Sequence, residues 1–251
     1  MLAIERRREI LARIDAEGKV LVSELAKEFS VTEETIRRDL ERLDKEGLAS
    51  KTYGGAVSNQ FTADLPYKVR IGVNVEEKQR LSEKTAALIR DGERIMLDAS
   101  STAIYIVKKL KAKKDLTVIT NSVEILLELA DKPDWTVLST GGRLKEGALS
   151  LTGSSAEKMI GAYHVDTAIC SCKGVDAEFG VTDSNEGDSL IKQAMFAAAD
   201  RRILAADNGK LNKKAFVRVC GLADVDVLVT DSAPDEKWEE KCRGLGVEIV
   251  Y

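Results

Sequence analysis

Arg38 and Arg42 stand four residues apart, with Thr35 three residues before the first and Lys45 three after the second. On a helix this spacing gathers all four on one side. Ile36, Leu40 and Leu43, spaced i, i+4, i+7, fall on the other and form an apolar stripe. A guanidinium is a planar fork of donors that matches guanine O6 and N7, and phosphate oxygens. Two guanidiniums and a hydroxyl on the outer face of a packed helix are therefore chemistry for DNA. Arg37 points sideways, toward a flanking phosphate. The plain alternative is a solvated helix whose arginines pair with Asp39, Glu41 and Glu46 to little energetic effect.

A second constellation is spread over five short segments. They are Asp98-Ala99-Ser100-Ser101-Thr102, Thr120-Asn121-Ser122, Ser139-Thr140-Gly141-Gly142-Arg143, Ser171-Cys172-Lys173-Gly174 and Asp207-Asn208-Gly209-Lys210. Hydroxyls and free amides at a helix N-terminus hold phosphate, and a nearby Lys or Arg adds charge. Asp98 repels phosphate, so it is expected to accept sugar hydroxyls, as is Asp188. Each segment alone reads as a helix cap or a solvated lysine. Together they make a small anionic or polyhydroxylated ligand the stronger reading, provided the fold brings them to one place.

The elements that must position the first set are short. A helix over Ile4–Ala16 is stopped by Gly18. Ser23 is placed to cap a second helix, Glu24–Phe29, which buries Leu25, Ala26 and Phe29. After the Ser30-Val31 turn, Thr32 caps a third helix with Glu33 and Glu34 in its first turn, ending at Gly47. Leu48–Gly55 reads as a hairpin closing in a double glycine, a wing that presents Lys51 or Tyr53 to a sugar-phosphate backbone. Helix, short turn, capped helix and wing is the order of a winged helix-turn-helix.

Val57–Val75, with Pro66, is weakly periodic and reads as a connector before a helix over Glu76–Ile89. Strand-like runs follow at Arg94–Leu97, Leu116–Thr120, Trp135–Ser139, Thr167–Ser171, Ile203–Ala206, Val225–Val229 and Val247–Val250. They alternate with helical runs such as Ala103–Leu110, Val123–Ala130, Ser154–Gly161 and Ser189–Ala199. This alternation predicts an α/β body with a mainly parallel sheet, whose ligands sit beyond the C-terminal ends of the strands. The expected division is 1–57 for a winged helix-turn-helix domain, 58–75 for a linker and 76–251 for the α/β domain.

Composition narrows the rest. The 251 residues are 44% hydrophobic and 32% charged, with only 3 Pro, so the chain can fill a core in each of two domains. Its apolar runs are too short to span a bilayer, and no apolar stretch follows Arg6-Arg7-Arg8 as a secretory signal needs. Four Cys (Cys170, Cys172, Cys220, Cys242) and the single His164 fit neither a disulfide scaffold nor a zinc site. A cytoplasmic protein with reduced thiols and no metal or other cofactor is expected. Net charge is −4, with −1 in residues 1–60 (11 Lys+Arg against 12 Asp+Glu) and −3 in the rest (27 against 30). Any DNA contact must therefore come from a local face rather than from a basic domain.

Glu5-Arg6, Val22-Ser23-Glu24-Leu25-Ala26, Phe29-Ser30-Val31-Thr32, Thr35-Ile36-Arg37-Arg38-Asp39-Leu40 and Tyr53-Gly54-Gly55-Ala56 together closely resemble the head of DeoR-family bacterial transcription regulators. The body resembles that family's sensor domain in Asp98–Thr102, Thr120-Asn121-Ser122, Gly141-Gly142, Gly180-Val181-Thr182, Lys192 with Ala194-Met195, Asp207 with Lys210, and Thr230-Asp231. The resemblance implies a sensor similar to sugar-phosphate isomerases and a regulator, mostly a repressor, of carbohydrate metabolism genes. Its partners would be double-stranded operator DNA, a phosphorylated sugar or polyol, and further copies of the chain, with no membrane. The expected DNA-binding residues are Ser23, Thr32, Thr35, Arg37, Arg38, Arg42, Lys51 and Tyr53. The expected effector-binding residues are Asp98, Ser100, Ser101, Thr102, Thr120, Asn121, Gly141, Gly142, Arg143, Lys173, Gly174, Asp188 and Lys210. The rival reading is an isomerase-like enzyme with a DNA-binding head. It would need a carboxylate such as Asp98, Asp176 or Asp188 beside an acid partner, which His164, preceding a strand, is badly placed to supply.

Overall fold

The structure is a computed structural model that describes residues 2–46, 48–58 and 67–251. It divides into two compact units, residues 1–70 and 71–251. Gly47 and residues 59–66, the first part of the expected connector, lie outside the described residues.

In the first unit α1 (Ala3–Glu17) ends on Gly18, whose left-handed φ of 77° and N–H to the Ile14 carbonyl close the last turn. β1 (Lys19–Leu21) leads directly into α2 (Val22–Glu28), and α3 (Glu33–Lys45) follows. The apolar stripes of the helices meet: Ile10 and Ile14, Leu25 and Ala26, and Ile36, Leu40 and Leu43 form one core with Val20, Ala49 and Ala56. β2 (Ala49–Lys51) and β3 (Gly55–Ser58) make the wing, and β1 pairs with β3 to give an antiparallel sheet in the order β1-β3-β2. A short helix, α4 (Tyr67–Arg70), ends the unit. Ser23 is not the cap expected of it. The helix starts two residues earlier, at Val22, Leu21 occupies the cap position without a side-chain bond, and Ser23 lies exposed in the first turn.

The second unit begins with α5 (Val75–Ala87). Its main sheet has seven parallel strands in the order β15-β14-β12-β9-β4-β5-β6. These are β4 (Arg94–Leu97), β5 (Thr117–Thr120), β6 (Thr136–Ser139), β9 (Val165–Cys170), β12 (Ala199–Ala205), β14 (Val227–Val229) and β15 (Glu248–Val250). All seven strand runs read from the sequence are in it, with ends shifted by a few residues. Both faces are covered. Ile95, Leu97, Ile169 and Ile203 enter one core, and Met96, Ala168, Cys170 and Leu204 enter another. The covering helices are α6 (Ser101–Leu110), α7 (Val123–Glu128), α8 (Ser154–Gly161), α9 (Glu186–Ala197) and α10 (Glu236–Leu245).

Two further pieces did not register in the sequence. A ribbon of β7 (Arg143–Lys145) and β8 (Ser150–Thr152) leaves the edge of the sheet, and β10 (Gly174–Asp176), β11 (Gly180–Asp183) and β13 (Val217–Cys220) form a small antiparallel sheet. The main sheet reverses its order between β4 and β9. Strands β4 to β6 progress to one edge, and β9, β12, β14 and β15 to the other. The crevice beyond the carboxyl ends of β4 and β9 is therefore the topological switch point, where open α/β sheets bind ligands.

Two adjacent glycines in the wing have opposite roles. A Cβ on Gly55 would lie 1.8 Å from the Val20 carbonyl oxygen, because β3 crosses β1 there, while one on Gly54 would meet nothing within 4 Å. Gly55→Ala is expected to destabilise the head by about 3 kcal/mol or more. Gly54→Ala is expected to change it by no more than about 0.5 kcal/mol. Urea titration followed by hydrogen exchange in α1–α3 checks the contrast.

Candidate functional sites

Helix α3 is set against α1 by a buried ion pair. Arg6 on α1 donates through Nε to Asp39 Oδ2 at 2.5 Å, and both residues are buried; Arg7 lies 3.5 Å from the other oxygen. The solvated-helix alternative makes Asp39 a surface partner of the arginines beside it. Instead it faces inward and fixes α3 against α1. The signal was available: Asp39 adjoins Leu40 and lies three residues beyond Ile36, on the inward side of the wheel.

Thr32 caps α3 as expected, accepting from the Thr35 N–H at 3.2 Å. The Thr35 hydroxyl is 2.9 Å from the Thr32 hydroxyl, so it belongs to the cap. Arg38 and Arg42 do project outward, with side chains 78% and 64% exposed, and Arg37 is half exposed. Each is held by a glutamate one turn away: Arg37 by Glu33 at 2.7 Å, Arg38 by Glu34 at 3.3 Å and Arg42 by Glu46 at 2.5 Å. On the wing Lys51 and Tyr53 are exposed, and the Lys51 N–H is anchored by Asp44 Oδ1 at 2.9 Å.

In the body the strand-end segments converge on the switch point. Thr120 Oγ1 donates to the Leu97 carbonyl at 2.7 Å, joining the ends of β5 and β4. Asp98, at the end of β4, is not the open hydroxyl acceptor expected. It is buried, and four donors take its oxygens. The Ser100 N–H and hydroxyl bind Oδ1 at 3.2 and 2.7 Å; the Ser171 N–H and Lys192 Nζ bind Oδ2 at 3.2 and 2.6 Å. Asp98 thus ties together the start of α6, the end of β9 and helix α9.

Lys192 reaches Asp183 as well, at 3.0 Å. Burial would push its ammonium down, but Asp183 and Asp98 outweigh that and hold it well above its ordinary value. Lys192 was marked only by resemblance, and Asp183 not at all. A lysine one turn from Met195, among apolar helix positions, was the available sign of a buried pair.

Lys210, in the single 3-10 turn Asn208–Lys210 after β12, closes the group. Its Nζ donates to Ser171 Oγ at 2.9 Å and lies 3.3 Å from Asp207 Oδ2; Ser171 Oγ donates in turn to Thr102 Oγ1 at 3.4 Å. Ser100 caps α6, accepting from the Ala103 N–H at 3.1 Å, and Ser101 and Thr102 are buried in its first turn. Cys172 lies in the same segment, and burial pushes its thiol up to about 12, so it stays protonated at neutral pH.

The remaining predicted residues sit around this centre. Asn121 donates to the Leu151 carbonyl at 3.0 Å and so holds the β7–β8 ribbon, while its buried Oδ1 has no partner among the described residues. Asp188 accepts from Lys145 on that ribbon at 2.8 Å and from Asn185 at 2.7 Å. Burial opposes its charge, but Lys192, Asn185 and Lys145 outweigh burial and hold the carboxyl below its ordinary value. Gly141 and Gly142 both take positive φ, and a Cβ on Gly142 would lie 2.7 Å from the Thr152 carbonyl. Beside them Gly142, Arg143, Thr152, Gly153, Ser154 and Ser155 line a cleft of about 420 Å³, of which the last four residues escaped the sequence reading. Gly174 lets two backbones cross, since a Cβ there would lie 2.4 Å from the Lys213 carbonyl; Lys173 is half-buried next to it. His164 precedes β9 at its N-terminal end and pairs with Asp200 at 2.9 Å, so it supplies no imidazole to the strand ends. Among the described residues no helix is long and apolar enough to cross a membrane.

Comparison with known proteins places both units. Residues 6–62 match the DeoR-like helix-turn-helix domain, and residues 73–232 the DeoR C terminal sensor domain. The chain is 44% identical over 236 residues to the HTH-type transcriptional regulator YulB of Bacillus subtilis (strain 168), covering 94% of this chain and 91% of that one. It is 26% identical over 234 residues to the glycerol-3-phosphate regulon repressor of Escherichia coli (strain K12), covering 93% of each. Among solved structures, ribose 5-phosphate isomerase A of Methanocaldococcus jannaschii superposes on 55% of each chain with a TM-score of 0.40 at 18% identity. With a helix-turn-helix head and a sensor body matched over most of its length, the chain belongs to the DeoR family of DNA-binding transcriptional regulators.

Proposed function

We propose that this regulator is a repressor of carbohydrate metabolism genes, released from its operator by a phosphorylated sugar or polyol bound at the switch point. One observation carries the reading. Segments from the ends of β4, β9 and β12 meet in a hydrogen-bonded chain, Lys210 to Ser171 to Thr102, at the start of α6. A partly exposed ammonium beside a helix N-terminus suits a phosphate. The name of the glycerol-3-phosphate regulon repressor, which aligns over nearly the whole chain, points to the same ligand class. Asp98 and Lys192 are scaffold in this reading, and Lys210 with the residues of the ribbon and cleft makes the contacts.

On the DNA side, α3 lies in the major groove with Arg38 and Arg42 toward the bases, while Arg37, Lys51 and Tyr53 meet the backbone. Paired half-sites require paired heads, so the chain works as a homo-oligomer. The effector must favour one of two arrangements of the assembly, because equal affinity for both shifts nothing.

Arg38→Ala is expected to leave the fold intact and cost about 1–3 kcal/mol of operator affinity in gel-shift titration at fixed salt. The full chain is expected to sediment as a dimer or larger species at micromolar concentration. In a thermal-shift screen of phosphorylated sugars and polyols, Lys210→Ala is expected to abolish stabilisation by any hit while retaining ligand-free operator binding. Lys192→Met, which strands two buried carboxylates, is expected instead to destabilise the body by about 3–5 kcal/mol in urea. Unchanged binding of the hit by Lys210→Ala would refute the proposed pocket.

A further inference from the structure

We propose that Glu34 is a specificity-determining residue of the DNA-reading helix, accepting from a cytosine N4 amino group while Arg38 donates to a guanine. The inference rests on the reading that α3 lies in the major groove. Glu34 is in the first turn of α3, the part of a recognition helix that reaches base edges. It lies about 40° from Arg38 around the helix, on the side away from Ile36, Leu40 and Leu43. Its side chain is 64% exposed, and its side-chain hydrogen bond is to Arg38.

The bond between the two residues leaves the right atoms over. Glu34 Oε1 accepts from Arg38 Nε at 3.3 Å, so the two terminal nitrogens of the guanidinium remain as a fork for guanine O6 and N7. Glu34 Oε2 remains as an acceptor. In the major groove a cytosine presents an N4 donor, whereas guanine O6 and N7 and thymine O4 are acceptors that repel a carboxylate. A carboxylate and a guanidinium held side by side are thus complementary to adjacent donor and acceptor edges of G·C pairs and penalise a guanine or thymine edge beneath the carboxylate.

The charge of the helix supports the assignment. Glu33–Lys45 holds four cations against five carboxylates, of which only Asp39 is buried. Attraction to phosphate drives sequence-independent binding, and exposed glutamates weaken it. Four exposed carboxylates offset the four cations of this helix, and that balance on a DNA-reading surface makes sense if some of them gain a partner on the correct sequence that they lack elsewhere.

The test uses the full chain. A randomised duplex library is selected with the wild type, and its preferred duplex is compared with mixed-sequence DNA by fluorescence anisotropy for Glu34→Gln, Glu41→Gln and Arg38→Ala. Glutamine reads adenine with its amide. Reselection with Glu34→Gln is therefore expected to replace a cytosine by adenine at one position, and discrimination against mixed-sequence DNA is expected to fall about tenfold. Glu41→Gln removes the same charge from the same helix and is expected to keep the wild-type preference. The proposal is overturned if Glu34→Gln selects the wild-type sequence with undiminished discrimination, or if both glutamate variants change discrimination alike. If Arg38→Ala also binds as wild type, the major-groove reading of α3 falls and this inference with it.

Discussion

Three charges withdrawn from water hold the sensor body together. Asp98 and Asp183 close on Lys192 at 2.6 and 3.0 Å, on three different elements around the point where the sheet reverses its order. Burying such groups is costly, and the arrangement survives because each charge also finds its hydrogen bonds. Asp98 alone accepts from four donors. The group carries a net negative charge, which restricts any anionic ligand more than an empty crevice would. A phosphate is repelled from the Asp98 side and is directed to the cations beyond it, Lys210 at the end of β12 and Arg143 beside the cleft. The scaffold thus fixes the direction in which a ligand must lie before any contact with it is made.

The head uses the same chemistry once, on a smaller scale. Arg6 and Asp39 are buried between α1 and α3, and this pair orients the helix whose outward face carries Arg38 and Arg42. Thr32 and Thr35 then fix where that helix begins. Orientation and starting point together decide which side chains the helix presents outward, so buried and capping residues set the register of the exposed face.

The fold was legible because its signals are periodic. Alternation of short β-rich runs with helices gave all seven parallel strands, and the apolar spacing of Ile36, Leu40 and Leu43 gave the inward face of α3. The positions of the strand-end residues were legible too, since a parallel sheet carries its C-terminal ends to one side. Their roles were less so. Asp98 reads as a ligand contact from its place after a strand, and only the approach of Lys192, 94 residues later, makes it scaffold. The same holds for Asp39 and Arg6, 33 residues apart. The strands of the β7–β8 ribbon and the small sheet are as short as most of the main sheet's but lack the continuous apolar runs set between helices that marked those, so they did not register.

Both units therefore hold cations with carboxylates, and burial decides what each pair can do. Removing one partner of a buried pair costs about 3–5 kcal/mol, so Asp98–Lys192 and Arg6–Asp39 cannot exchange partners while the fold stands. An exposed pair one helical turn apart is worth about 0.3–0.5 kcal/mol, so Arg37, Arg38 and Arg42 can leave their glutamates for DNA at little cost. Lys210 stands between these limits. Its side chain is 20% exposed and its bonds run to a hydroxyl and to one carboxylate, so an arriving phosphate can replace the hydroxyl without stranding a buried charge. A switch needs fixed points against which a contact can move, and in this chain the graded burial of like ion pairs separates the two.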